Sequence, residues 1–413
     1  MNIHVILVGS NPLPCYIGAA YLLGRDEIAV SQEKKWLPKP DWFLWVVTEE
    51  TRKYCENINY ILNMQYQKKY EGVHSDIVSL RDGRDAAEIE EKIINKICEV
   101  KEKRPVHILL NNTGGTKPMV VYSTVAVRKV AGAQIVECYI DPVKNKIRCR
   151  MANSKNEKHD FPKENDLRDI VKISLDQLVQ MHYGKQVHIE ATDYQKYGSE
   201  ELCSQLINKR KIIEVAKQLL SSKEVYEEYT KFFKKCKNIK KIDVAKLQEV
   251  LEKNKKLLEL FDREKIEEAD RLIFARGDWL EIYFYSALLD ARRSLEENIE
   301  TAWSYKVRPN NGDKTFEIDV LALRGYELSY FSVSMAESNE QNMAKGKWFE
   351  AVYRAEQIAG EHGKVGIVNL MTEGLESFKK DLSSFKRDVD LYERDILNDY
   401  SLLVDTLKEH FSN

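Results

Sequence analysis

Two short polar loops hold the residues best suited to grip an anion. One is Asn111-Asn112-Thr113-Gly114-Gly115-Thr116-Lys117-Pro118; the other is Gly9-Ser10-Asn11-Pro12-Leu13-Pro14. Adjacent glycines let the backbone come close to a ligand, and a helix beginning at Pro118 would aim unpaired N–H groups at negative charge. Thr113, Thr116 and Lys117 add two hydroxyls and a cation. Neither loop is G-x-G-x-x-G or G-x-x-x-x-G-K-[ST], so ordinary dinucleotide and P-loop nucleotide binding are disfavoured. A glycine turn with a capping threonine is the plainer explanation of one such loop. Two at neighbouring positions are harder to dismiss.

The neighbourhood follows from the elements on either side. Apolar runs over 3–8, 42–47, 76–80, 106–110 and 134–140 have the character of buried parallel strands. Helical periodicity fills the intervals over 15–23, 52–69, 84–101 and 120–130; in the third, Ile89, Ile93, Ile94 and Ile97 share one face. Strand–helix alternation of this kind predicts a doubly wound α/β sheet, whose ligands bind beyond the carboxyl ends of its strands. Both loops lie at such ends, and so does Thr48 in the Thr48-Glu49-Glu50-Thr51 segment.

The N-N-T-G-G-T-K-P-M loop between strand and helix, with a first strand ending in G-S-N-P, resembles the CRISPR-associated Rossmann fold, the CARF domain. Leu175 to Gly184 resembles the exit from that domain. The resemblance implies a homodimer that binds a cyclic oligoadenylate across its two-fold axis, tetra-adenylate in preference to hexa-adenylate. It places Ser10, Asn11, Thr113, Gly114, Gly115, Thr116 and Lys117 at the ligand, flanked by Pro12 and Asn112, with Thr48 as a weaker candidate. Ser10 or Lys117 could also position a ribose 2′-hydroxyl for attack on the messenger itself, a ring nuclease activity.

Beyond residue 160 the texture changes. Glycine is nearly absent after Gly198, and leucine, lysine and glutamate recur at helical spacing; residues 231–256 hold ten lysines against three acidic residues. A solvated helical face explains that run, and a phosphate-contacting surface is the sharper alternative. Residues 275–413 mix both types: a helix over 278–294, strands over 299–307, 316–324 and 327–334 with a tight turn at Gly325-Tyr326, a helix over 341–359 and a strand over 364–370.

In that last stretch Glu281 opens a helix and Asp319 lies on a strand within Phe316-Glu317-Ile318-Asp319-Val320. The pair, in this element order, resembles the PD-(D/E)xK nucleases, and joined to a CARF domain it points to the CARF nucleases activated by cyclic oligoadenylate. The resemblance implies that Glu281 and Asp319 ligate Mn²⁺ or Mg²⁺, hard cations that prefer carboxylate oxygens, and that the substrate is DNA or RNA. The family's E-x-K positions fall on Ser332 and Ser334, neither a carboxylate nor an amine. Lys345 or Lys347 could reach the same space to stabilise transition-state charge, and Glu337, Glu340 or Glu350 could replace the carboxylate. A chain that keeps the fold but has lost the chemistry, and only senses the messenger and holds nucleic acid or a partner, is the alternative.

Arg354 and His362 lie too far apart for the short Arg–His spacing of HEPN ribonucleases. A net charge of −2 excludes a uniformly basic nucleic-acid coat. Seven cysteines without a C-x-x-C argue against a disulfide framework or a structural zinc, which with no membrane-length apolar run and no signal sequence leads us to expect a cytoplasmic protein. The expected fold class is α/β. A doubly wound Rossmann-like CARF domain spans 1–155, a helical connector 156–274, and a restriction-endonuclease-like α/β domain with terminal helices 275–413.

Overall fold

The computed structural model describes residues 1–412 apart from 25–35, 102–103, 131, 142–143, 153–157, 164, 196–208, 240–242, 296–297, 311–313, 336–340, 361–362, 372–374 and 384–388. Nearly unbroken apolar runs form β1 (Asn2–Leu7), β2 (Trp42–Thr48) and β4 (Val106–Asn111) at the centre of the first sheet, with the more polar β3 (His74–Leu80) at its edge and β5 (Ala133–Asp141) beyond β4. They pair in parallel in the order β3-β2-β1-β4-β5. Helices α1 (Leu13–Gly24) and α2 (Arg52–Tyr70) cover one face. On the other lie α3 (Ala86–Lys101) and α4 (Lys117–Arg128), where Ile89, Ile93 and Ile97 are fully buried. The sheet is therefore doubly wound, as expected.

It also runs further than expected. β6 (Lys146–Met151) and β7 (Lys158–Phe161) add two antiparallel strands beside β5. The boundary expected at 155 therefore falls inside the sheet. Two short helices follow: α5 (Leu167–Ile170), and α6 (Leu175–Tyr183), opened by a capping box between Ser174 and Gln177.

The segment expected to be a helical connector begins with strands. β8 (His188–Glu190) and β9 (Asp193–Gln195) both pair with β10 (Ile299–Arg308) of the second sheet. The helices come after them: α7 (Lys209–Ser221), α8 (Lys223–Lys237), α9 (Val244–Leu251), α10 (Lys255–Arg263), α11 (Glu268–Arg276) and α12 (Trp279–Leu295). Then come β11 (Phe316–Arg324), β12 (Glu327–Ser334), α13 (Gln341–Ala359), β13 (Lys364–Asn369), α14 (Leu375–Ser383), β14 (Val389–Tyr392), α15 (Arg394–Leu397) and α16 (Tyr400–Ser412). The second sheet reads β14-β13-β12-β11-β10-β8, antiparallel from β8 to β12 and parallel from β12 to β14.

The two sheets share a core. Tyr305, Phe316, Tyr330 and Trp348 join one apolar cluster with residues of α1, α2 and α6. Polar contacts pin the junction. Buried Arg168 pairs with Glu327 at 3.1 Å and with Asp166 at 2.7 Å, and the Leu175 amide donates to Glu300 at 2.6 Å. The Gly325 turn (φ +64°) rests on the Arg168 backbone, where a Cβ would stand 2.3 Å from a carbonyl oxygen. No helix among the described residues is long and apolar enough to cross a membrane.

Candidate functional site

Strand order reverses between β1 and β4, and at such a switch point the loops leaving the two strands diverge and open a crevice. Both glycine-bearing loops leave from these strands. They are interlocked backbone to backbone: a Cβ on Gly114 would stand 2.0 Å from the Leu7 carbonyl oxygen, and one on Gly9 would stand 2.8 Å from the Gly115 nitrogen. Gly115 has φ +77°, a region that other residues enter at a cost.

The polar side chains divide into builders and lining groups. The Thr113 hydroxyl donates to Asn111 Oδ1 (2.7 Å) and accepts from the Ile140 amide (2.8 Å), so it holds the loop against β5. The Thr116 hydroxyl caps α4 through the Met119 amide and donates to the Gly83 carbonyl (3.1 Å). Pro12 is buried, and its carbonyl accepts the first amides of α1, from Cys15 and Tyr16. Asn11 Oδ1 accepts from the Leu13 amide at 3.2 Å.

Three hollows surround these loops. One, of about 410 Å³, is lined by Gly9, Ser10, Asn11, Pro14, Thr113, Gly114, Gly115 and Ile140, together with Glu356 and Gly360 from the far end of the chain. The second, of about 920 Å³, shares Gly9, Ser10 and Gly115 with the first and takes in Thr48 and Thr116, two guanidinium groups (Arg81 and Arg84) and three carboxylates (Glu49, Glu50 and Asp82). Asn112 lines the third, of about 730 Å³, among Arg148, Arg150, Lys158 and Lys163. Lys117 is exposed on the first turn of α4, outside the lining of all three.

Arg81 and Arg84 are cations that the sequence reading missed. Their side chains are 87% and 80% exposed despite contacts to Glu88 and Asp82, so they remain accessible to an anion. The signal was present: Arg81-Asp82-Gly83-Arg84 leaves β3 at the same edge as the other loops.

The second site lies on the second sheet. Glu281, in the first turn of α12, accepts a hydrogen bond from the Trp303 indole N–H at 3.0 Å. Burial, then the negative charge of Asp319, push its carboxyl up to about 7; Trp303 and Lys347 act in the opposite direction. Burial also raises Asp319, against the Lys347 charge and the Val333 amide, which donates to Asp319 Oδ2 at 2.8 Å. The Lys347 ammonium donates to the Val333 carbonyl at 3.1 Å. One peptide segment of β12 thus touches both the acid and the base. The β10–β11 register skips Ser304, between Trp303–Val320 and Tyr305–Ile318; Ser304 has φ +52°, a strained conformation of the kind that gathers at functional sites, and its hydroxyl donates to Glu317.

Of the two candidate lysines, Lys347 acts on the carboxylates, whereas Lys345 turns away to pair with Asp381 at 2.6 Å. Ser332 and Ser334 are buried in β12. Glu350 is close enough for its charge to raise Asp319; Glu337, Glu340 and His362 lie outside the described residues. Glu281 and Asp319 are two oxygen donors for a hard cation, and repulsion between buried carboxylates is what such a cation relieves. Among the described residues no group of three or more His, Cys, Asp or Glu is placed to hold a metal ion.

A third constellation has the form of a hydrolytic triad. Ser329 Oγ lies 2.8 Å from His410 Nε2, and His410 Nδ1 lies 2.5 Å from Asp390. Ser329 is only 1% exposed, so its hydroxyl meets no substrate. The chain of contacts ties β12 and β14 to α16.

Residues 28–169 match the Card1 CARF domain model, a stretch that begins after β1 and the 9–14 loop. Two solved structures share the fold along nearly the whole chain. The protein VC1899 from Vibrio cholerae is 12% identical, with a TM-score of 0.66, covering 100% of this chain and 97% of its own. Can2 from Sulfobacillus thermosulfidooxidans, solved in complex with cyclic tetra-adenylate, is 14% identical, with a TM-score of 0.62, covering 98% and 99%. No curated protein matches. The strand order and these comparisons agree on the fold, and residues 28–169 are similar to the Card1 CARF domain.

Proposed function

We propose that this protein is a metal-dependent nuclease of type III CRISPR defence, switched on by a cyclic oligoadenylate, that cuts single-stranded or nicks double-stranded nucleic acid as a homodimer. The observation that carries the reading is the pair of glycine loops locked together at the switch point of a sheet that matches a Card1 CARF domain. Cyclic tetra-adenylate, bound by Can2, is the messenger of choice. The amides of Gly114 and Gly115 cradle its phosphates, and the exposed guanidinium groups of Arg81 and Arg84 neutralise them.

In the second domain, read as restriction-endonuclease-like, Glu281 and Asp319 would hold Mn²⁺ or Mg²⁺. The bound ion supplies Lewis acidity and a more acidic water. Trp303 orients the Glu281 carboxylate and the Val333 amide orients Asp319. Lys347, held by the Val333 carbonyl, takes the role of the amine missing at Ser334 and stabilises charge on the phosphoryl oxygens as the scissile bond breaks.

The test incubates purified protein with cyclic tetra-adenylate, Mn²⁺ and single-stranded DNA, single-stranded RNA or supercoiled plasmid. Cleavage that needs both messenger and metal supports the reading. No cleavage under any combination, or full cleavage by a Glu281→Ala/Asp319→Ala variant, defeats it. The serines at 332 and 334 and the lack of a third described metal ligand favour a second reading, a sensor that binds nucleic acid or a partner without turnover. Messenger-dependent binding without product would select it.

A further inference from the structure

The lysine run of the helical segment reaches the corner beside the carboxylate pair. Residues 229–242 hold six lysines and no acidic residue. Their first part is the C-terminal half of α8, where Lys231, Lys234, Lys235 and Lys237 are exposed. The acidic residues of α8, which are Glu224, Glu227 and Glu228, all fall in its first half. Glu224 pairs with Lys256 and Glu228 accepts the Leu257 amide at 3.0 Å, so both face α10.

The helix is anchored at the turn that opens α12. The buried Tyr229 hydroxyl donates to the Phe274 carbonyl (3.0 Å) and accepts from the Trp279 indole N–H (2.7 Å). One turn on, Phe233 lies against Gly277, where a Cβ would stand 3.1 Å from both the Phe233 ring and Met335 Cγ. Gly277 is four residues ahead of Glu281, and Met335 directly follows β12. At about 3.6 residues per turn, Lys237 and Lys234 lie on the Phe233 flank of α8, turned progressively to solvent. Arg276, in the last turn of α11, adds an exposed guanidinium at the same corner. It acts on its neighbour Asp278, whose carboxyl is raised by burial and lowered by that charge.

We propose that the C-terminal half of α8 and Arg276 form the track that leads the phosphodiester backbone of the substrate strand to Glu281 and Asp319. Lys234, Lys237 and Arg276 neutralise phosphates beside the scissile one, contacts that position a strand without reading its sequence. Any surface ion pair that these side chains make costs little to exchange for a phosphate. The inference rests on the nucleic-acid reading above and adds to it that substrate capture belongs to the helical segment. A chain with a net charge of −2 thus carries its affinity for a polyanion in one local patch.

The test follows a labelled single-stranded DNA and its duplex by fluorescence anisotropy, on the full chain with cyclic tetra-adenylate and no metal, across a salt series. Lys234→Gln/Lys237→Gln/Arg276→Gln should weaken binding at least about tenfold at low salt. It should also flatten the slope of log affinity against log salt by about 2 for the single strand or about 2.7 for the duplex, three contacts' worth. The form whose slope changes is the form that docks. Lys253→Gln/Lys255→Gln/Lys256→Gln removes as many charges near Glu224, about 20 Å along α8 from Lys237, and should stay within about twofold. With Mn²⁺ present, the first variant should raise the KM of cleavage and leave kcat unchanged. The substituted side chains are exposed, and thermal melts verify the fold. Equal affinity and slope in the first variant, or an equal loss in the second, overturns the track and leaves the nuclease reading to its own cleavage assay. Binding that the first variant loses, in a chain that never cleaves, keeps the track and removes the nuclease. A wild-type chain that binds neither DNA overturns both.

Discussion

Asn11 and Gly360 meet although 349 positions separate them: the first lies in the loop after β1 and the second at the end of α13, and only the lack of a side chain at 360 gives the Asn11 amide room. Gly360 also has φ +58°. Gly360→Ala therefore combines backbone strain with a clash and should cost about 2–3 kcal/mol in urea unfolding. Asn11→Ala in the same chain removes the clash but leaves the strain, so a double-mutant cycle should show a favourable coupling of about 1 kcal/mol. Additive costs would mean that the contact carries no strain.

The interlock at the switch point is less forgiving. Gly114→Ala drives a methyl to 2.0 Å from the Leu7 carbonyl, which belongs to the backbone of a central strand. The loop must move, and calorimetry with cyclic tetra-adenylate should show affinity reduced by at least about 100-fold, the loss expected when several preorganised amides are displaced. Lys117→Ala, outside the hollows, should change affinity less than about fivefold.

Lys347 and Lys345 are two residues apart and make opposite contacts, to the Val333 carbonyl and to Asp381. Lys347→Ala should reduce messenger-dependent cleavage by about 10²–10³-fold, the usual cost of removing a group that stabilises transition-state charge. Lys345→Ala should stay within about threefold in the same gel assay.

The carboxylate pair gives a pH dependence of defined sign. The Glu281 carboxyl is raised in the folded protein, so its contribution to stability is fully present below its unfolded pKa and is lost as pH rises through about 7. The unfolding free energy of the metal-free chain, from urea titrations, should therefore fall from pH 5 to pH 8 by an amount on the order of 2 kcal/mol. Glu281→Gln should flatten the slope, and Mn²⁺ should restore stability at the alkaline end. Cleavage should rise over the same interval, because the ionised carboxylates are the form that holds a cation.

Much of the architecture was legible because it is written in periodicity. The parallel strands are apolar runs, the Ile89–Ile93–Ile97 face is buried as its spacing demands, and Thr116 caps α4 where the loop chemistry places a cap. β6 escaped notice because Lys-Ile-Arg-Cys-Arg-Met alternates charged with apolar side chains, a period-two signal hidden between clusters of turn residues. β8 and β9 are three residues each and gain their strand form from β10, about a hundred positions later. At the loops, composition picked out two segments that the fold interlocks, but not what each side chain does there. Thr113 and Thr116 serve the backbone, while Arg81, Arg84 and Glu356 arrive from elements whose proximity is a property of the topology alone. At the carboxylates the pair was legible, and the choice between the two lysines depended on how α13 is turned against β12.

The strands that β10 borrows from the 188–195 segment belong to the second sheet. A scissor cut anywhere before β8 would leave β8 and β9 with the second half; a cut after β9 would strip the margin of that sheet and expose a row of unpaired peptide groups, an invitation to clumping. The margin of the second half therefore lies ahead of residue 188, not at the first of the helices that follow.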